Sequence, residues 1–380
     1  MSNTHNLPFT TGEYELRLQR VRQAMRERQI DVLLVDQTEF LAYLTGYSIS
    51  ENMYRACLVP LDGEVVLALR AVDLGPFAET SWLDASQAVA FADWEDPVHV
   101  IAETVKARGW ASKRIGIDED SYCMPLRRFK KLKTALPDAT FVDFSGVLEV
   151  LRSRKSLKEI EYLRRASQIA DETVGDILES SGEGTSARDV AATAHTSFIA
   201  RGADTGRPGI FNLSEGDNFL HGVMTGKPLC KGDVLHMELL PMVCGYSARL
   251  MRPAVVGRDD ARSAVAQQLV DIQDHQFAQM KPGACARNID ATVRSPILEA
   301  GLRPKYLNIT GYSLGHYPLS TPRTSDFTRI FLPNSDWVLE EGMVFHMYVS
   351  AAGVAFSETV LVTQTGVDLL TKSPRKLLTL

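Results

Sequence analysis

KGDVLHMELLPMVCGYSARLMRP, residues 231–253, is the stretch on which the fold turns. Its first half, GDVLHMELLP, is strand-like, and after turns PAVVG (253–257) reads as a strand again. Two later runs, GMVFHMYVS (342–350) and FSETVLVT (356–363), have the same character. One helical stretch, SAVAQQLVDIQDHQFAQM (263–280), interrupts them. Upstream, SRKSLKEIEYLRRASQIADETVGDIL (153–178) predicts a long helix, opened by a capping box in which Ser156 is followed three residues later by Glu159. ARDVAATAHTSFIARG (187–202) predicts a second. Helices beside a largely antiparallel sheet make residues 152–380 an α+β domain.

Residues 1–151 read differently. TGEYELRLQRVRQAMRERQ (11–29) sets Leu16, Val21 and Met25 at near-helical spacing among charges. IDVLLVD (30–36) is a buried strand, and RACLVP and GEVVLALR are two more, joined by a turn around Asp62-Gly63. A helix over 97–108, the strand KRIGIDED, the basic helix RRFKKLKTAL and the strand TFVDFS complete an alternating α/β pattern.

The chain has 380 residues, 45% hydrophobic and 23% charged, enough for two domains that each bury a core. A net charge of -6 gives no footprint for nucleic acid. No apolar run approaches the roughly eighteen residues of a membrane span. The start, MSNTHNLPFTTGEY, is polar and lacks a signal peptide's apolar stretch. Five scattered cysteines without a CxxC predict reduced thiols, mostly small core residues, in a cytoplasmic protein.

Several segments together resemble one family. The layout of 231–253, then GYSLG (311–315), EEGMVFHMYV and FSETVLVT in that order, is similar to the pita-bread enzymes creatinase, prolidase, aminopeptidase P and methionine aminopeptidase. The resemblance spans the chain and implies a creatinase/prolidase-like N-terminal domain (1–151) followed by a pita-bread catalytic domain (152–380). Metal-dependent members hold two ions with two aspartates, a histidine and two glutamates. Carried over one at a time, those positions fall at Glu238, Arg249, Tyr312, Tyr348 and Glu358. A guanidinium and two phenols are poor partners for hard divalent ions. The resemblance is therefore to the metal-free branch, with no metal and no cofactor expected.

A metal-free site needs its own general base, and histidine is the usual one near neutral pH. The resemblance to creatinase puts it at His221, eleven residues before the glycine of KGD. His236 and His346 sit on strands and read as satisfied core or wall residues, whereas His316 stands beside the GYSLG turn. Where creatinase grips a guanidinium with carboxylates, this chain has Met251 and Tyr348. The run PFTTGEYELRLQRVRQAM, DVLLV, LTGY, GVDLL and PRKLL resembles ectoine hydrolase more closely. That resemblance implies a small zwitterionic amidine as substrate. Glu238 and Glu358 would pair with the amidinium, and Tyr312 and Tyr348 would donate to the tetrahedral centre. Arg55 and Arg323 match creatinase positions that anchor a carboxylate, and Arg249 would pair with Glu238 or Glu358. A homodimer is implied as well. The alternatives are a creatinase-like amidinohydrolase, an Xaa-Pro dipeptidase-like enzyme with unusual metal ligands, and an inert ligand-binding protein of the same fold.

Overall fold

The computed structural model describes residues 7–48, 53–207, 209–214, 216, 219–325 and 328–380. The first six residues of the polar N-terminus therefore lie outside it, as do Glu51 and Asn52 of ENMYRACLV and Asn218 beside His221. The chain divides into two compact units, residues 1–152 with 316–323, and 153–315 with 324–380.

In the first unit, strands β1 (Val32–Val35), β2 (Ala56–Pro60), β3 (Val66–Arg70), β4 (Ala88–Phe91), β5 (Arg114–Ile117) and β6 (Thr140–Asp143) form one mixed sheet in the order β4-β3-β2-β1-β5-β6. Its helices are α1 (Thr11–Glu27), α2 (Thr38–Thr45), α3 (Leu74–Thr80), α4 (Pro97–Ala107), α5 (Leu126–Ala135) and α6 (Val147–Leu151). Successive strand residues point to opposite faces, so each strand feeds two cores. Leu33, Val35, Cys57 and Leu67 pack with α1 and α2, while Val32, Leu34, Leu58 and Val66 pack with α4 and α5. This is why IDVLLVD is apolar at every position between its two acids.

The second unit carries α7 (Leu157–Ser180), α8 (Ala187–Ala200), β7 (Thr205–Arg207), β8 (Phe211–Leu213), β9 (Val234–Val243), β10 (Tyr246–Ser247), β11 (Leu250–Val255), α9 (Asp260–Gln279), α10 (Ala286–Glu299), β12 (Gly311–Ser313), β13 (Val344–Ala351), β14 (Val354–Val362), β15 (Val367–Leu369) and β16 (Leu378–Thr379). The capping box expected at Ser156 and Glu159 opens α7. The central order is β10-β9-β11-β14-β13-β12, antiparallel throughout, with β7 and β8 on β9, β15 on β14, and β16 parallel to β11. A two-residue turn joins β9 to β10, with Cys244 and Gly245 both at positive φ (48° and 77°), as a tight hairpin of this length requires.

Register assigns each side chain a face. Leu235, Met237 and Leu239 of β9 pack under α7 and α8, and Val349, Ala351, Val354 and Phe356 pack under α9 and α10. Alternation then turns Glu238, Arg249, Met251, His346, Tyr348 and Ser357 to the opposite face, clear of the helices. Among the described residues no helix is long and apolar enough to cross a membrane. All five cysteines are free, and Cys57 alone is fully buried, so the thiols are less of a core feature than their scatter suggested.

Candidate active site

The helix-free face of the second sheet carries a cavity of about 310 Å³, at the small end for a ligand site. His221, Glu238, Arg249, Tyr312 and Tyr348 line it, with Ile210, Leu240 and Met251 as apolar wall. Five of the eight residues singled out from the sequence thus meet in one place. The short turn Phe219–His221 brings an exposed imidazole to the rim. Glu238 and Leu240 come from β9, Arg249 from just before β11 and Met251 from within it, and the phenols from β12 and β13. Gly209 lets the chain press against β9, since a Cβ there would stand 1.4 Å from the Glu238 carbonyl oxygen.

An ion pair lies at the centre. Arg249 Nη1 donates to Glu238 Oε1 at 2.8 Å and also to the Tyr312 hydroxyl. Nη1 carries both bonds, so among the described residues Nε and Nη2 of Arg249 and Oε2 of Glu238 have no protein partner. Burial works against the Arg249 charge, but Tyr312, Glu238 and Tyr348 carry its pKa above the ordinary value. Burial raises the Tyr312 phenol well above its usual range, and pushes Tyr348 up to about 12. Both phenols therefore keep their protons at neutral pH and act as hydrogen-bond donors. Asn308 Nδ2 donates to the Tyr348 oxygen at 3.4 Å. The amide is oriented by Arg303, whose Nη1 donates to Asn308 Oδ1 at 3.1 Å.

Glu358 is a correction. Register pairs Ser357 with both Met251 and Tyr348, so Ser357 shares the cavity's face and Glu358 points the other way. There Arg252 Nη2 donates to Glu358 Oε1 at 2.8 Å, Arg375 Nε lies 3.4 Å away, and Thr371 donates to Oε2. Arg252 is fully buried and also donates to the carbonyls of Met251, Ser357, Ser373 and Pro374. Glu358 thus belongs to a structural ion pair. The carried-over position moves one residue back to Ser357, whose Oγ accepts from the Met251 amide at 2.7 Å. Arg249 accordingly pairs with Glu238 and not with Glu358.

The two candidate carboxylate anchors lie in the first unit. Arg55 is buried and donates to Thr38 Oγ1 at 2.6 Å. Arg323 lies over the Tyr122 ring, 3.6 Å from Glu149 and 3.8 Å from Glu39. His316 belongs to the same unit, buried, with its carbonyl accepting from Arg152. His236 and His346 are fully enclosed, and among the described residues neither ring nitrogen of either has a hydrogen-bond partner, whereas the sequence reading expected satisfied core histidines. Burial drives both toward the neutral form, His236 to about 3 and His346 well below its ordinary value.

The donor set does not fit a divalent ion. Glu238 is the one carboxylate among the described lining residues, and a guanidinium occupies its Oε1. No group of three or more His, Cys, Asp or Glu among the described residues is arranged to hold a metal.

Comparison with known proteins agrees with this architecture. Residues 17–154 match the creatinase/prolidase N-terminal domain, and residues 161–364 match metallopeptidase family M24. The chain is 27% identical to ectoine hydrolase of Halomonas elongata, covering 98% of each chain. It is also 27% identical to the Xaa-Pro dipeptidase of Pyrococcus furiosus, over 95% of this chain and 99% of that one. The prolidase structure from Thermococcus sibiricus superposes with a TM-score of 0.85 at 23% identity, over 97% and 99% of the two chains. The chain belongs to metallopeptidase family M24, as a hydrolase of the creatinase/prolidase type with the two-domain pita-bread fold.

Proposed function

We propose that this chain is a metal-independent hydrolase that opens a C–N bond in a small zwitterionic amidine, with ectoine as the favoured substrate. The observation that carries the reading is the Glu238–Arg249 pair, held at 2.8 Å, with one edge of each group unspent toward the cavity. A zwitterion fits such a pair. Its amidinium meets Glu238 Oε2, and its carboxylate meets the fork formed by Nε and Nη2 of Arg249. Ectoine carries both groups on one ring, and the Halomonas elongata relative is named for hydrolysing it.

His221 takes a proton from water as the oxygen adds to the amidine carbon. Tyr348 and Tyr312, both protonated, donate to the tetrahedral centre. The C–N bond then breaks and His221 returns the proton to the departing nitrogen. One water is consumed, and the product is an N-acetylated diaminobutyrate.

The test is incubation of chelator-treated protein with ectoine, with the ring-opened product followed by mass spectrometry. Turnover in the wild type and its loss in His221→Ala, at unchanged melting temperature, is the expected result. Absence of turnover together with manganese-dependent cleavage of an Xaa-Pro dipeptide would overturn the proposal in favour of a prolidase.

A further inference from the structure

The turn that carries His221 rests on a buried amide to which the chemistry above gives no role. Asn212, on β8, is 4% exposed, and its Nδ2 donates to the Phe219 carbonyl at 2.7 Å. Phe219 is the first residue of the turn, and its ring stands edge-on to His236, with centroids 5.1 Å apart. Asn212 and His236 are directly opposed across the β8–β9 ladder, so amide and imidazole form one platform beneath the turn. Asn212 Oδ1 and both His236 nitrogens are enclosed and have no hydrogen-bond partner among the described residues.

The exit from the turn is as tight. A Cβ on Gly222 would stand 1.5 Å from Asn212 Nδ2. The backbone on the far side of His221 therefore runs directly over the same amide that holds the near side. The turn is fixed at both ends by one side chain, and His221 lies between the two contacts.

We propose that Asn212 is a positioning residue for His221: by holding the Phe219 carbonyl and lying under Gly222, it sets where the imidazole stands at the cavity rim. This rests on the reading of His221 as the general base. It assigns Asn212 no contact with substrate. It also explains the glycine at 222, because any larger residue displaces the amide.

Asn212→Leu keeps the volume and removes the donor. The expected result is a kcat for ectoine lower by about a hundredfold with KM within about twofold, the signature of a misplaced base. Independently of turnover, the ¹³C-labelled His221 imidazole signals, assigned with His221→Gln, should shift and broaden in Asn212→Leu. Gly222→Ala should disturb the same signals when made alone. It should add nothing in an Asn212→Ala background, where the colliding amide is gone. Circular dichroism checks that each variant is folded, and the Asn212→Ala pair serves should Asn212→Leu fail to fold. His221 signals that coincide with wild type in folded Asn212→Leu or Gly222→Ala overturn the proposal. If wild type does not hydrolyse ectoine, the substrate reading fails and the imidazole signals alone decide the role of Asn212.

Discussion

Glu358→Gln separates a structural carboxylate from a catalytic one. The substitution keeps the shape of the side chain and removes its charge. In the folded chain that charge faces Arg252 at 2.8 Å, with Arg375 at 3.4 Å, on the sheet face covered by helices. The side chains of Arg252 and Glu358 are 0% and 1% exposed, so water cannot replace the lost partner. Taking one member from a buried pair of this kind costs about 3 kcal/mol or more, because the remaining charge stays enclosed. For a unit of this size that is a fall in Tm of about 6–12 °C. Thermal unfolding followed by circular dichroism gives the loss directly. Measured below the new transition, kcat per folded molecule should stay within about twofold of wild type, since the mutated group does not touch the cavity. An unchanged Tm with activity abolished would refute the reasoning and return Glu358 to the reaction.

Other expectations are as direct. Asp36 is buried beneath Ser121 and Tyr54, and burial pushes its pKa up to about 6 from an ordinary 3.8. The fold therefore favours the protonated acid, whose stabilisation is complete below pH 3.8 and is lost as pH rises through about 6. Asp36→Asn does not titrate, so its stability relative to wild type should improve by up to about 3 kcal/mol between pH 4 and pH 7, and a gap independent of pH counts against the assignment. Arg249→Lys retains the charge but loses the fork, and should weaken zwitterion binding about tenfold by calorimetry. Equal affinity would remove Arg249 as the anchor. Millimolar manganese or zinc added to chelator-treated protein should move Tm by less than about 1 °C, and a rise of several degrees would reveal a metal site.

The sequence exposes most of the fold because its periodicities are strong. The capping box at Ser156 and the alternating elements of the first unit could be read without coordinates. The helix Ala286–Glu299 could not, because Pro296 lies inside it and argues against a helix. The cavity residues at β9, β11, β12 and β13 were reached only through the resemblance to the pita-bread enzymes, whose ligand positions fall at Glu238, Arg249, Tyr312 and Tyr348; periodicity marks the strands that carry them but not their role. On β14 the reading slipped by one residue for a physical reason. All nine of its residues are buried, so no polar alternation shows which side chains face the cavity, and the acid drew the assignment away from Ser357. Asn212 was invisible for a different reason. Its role comes from its place across from His236 and under Phe219, a relation among residues distant in the chain.

The fork of Arg252 has a consequence for timing. Its guanidinium is completed by the carbonyls of Ser373 and Pro374, about 120 residues further on, and β16 pairs beside it only at Leu378 and Thr379. A ribosome that has released β9 and β11 has made the two acid–base strands of the cavity, but not the residues that cover the charge on their reverse side. Until Glu358 emerges Arg252 lacks its counter-charge, and until residues 373–374 follow, the carbonyls that complete its fork are still missing. The cavity is then among the last parts to mature, and its assembly depends on contacts of long sequence separation, which form slowly.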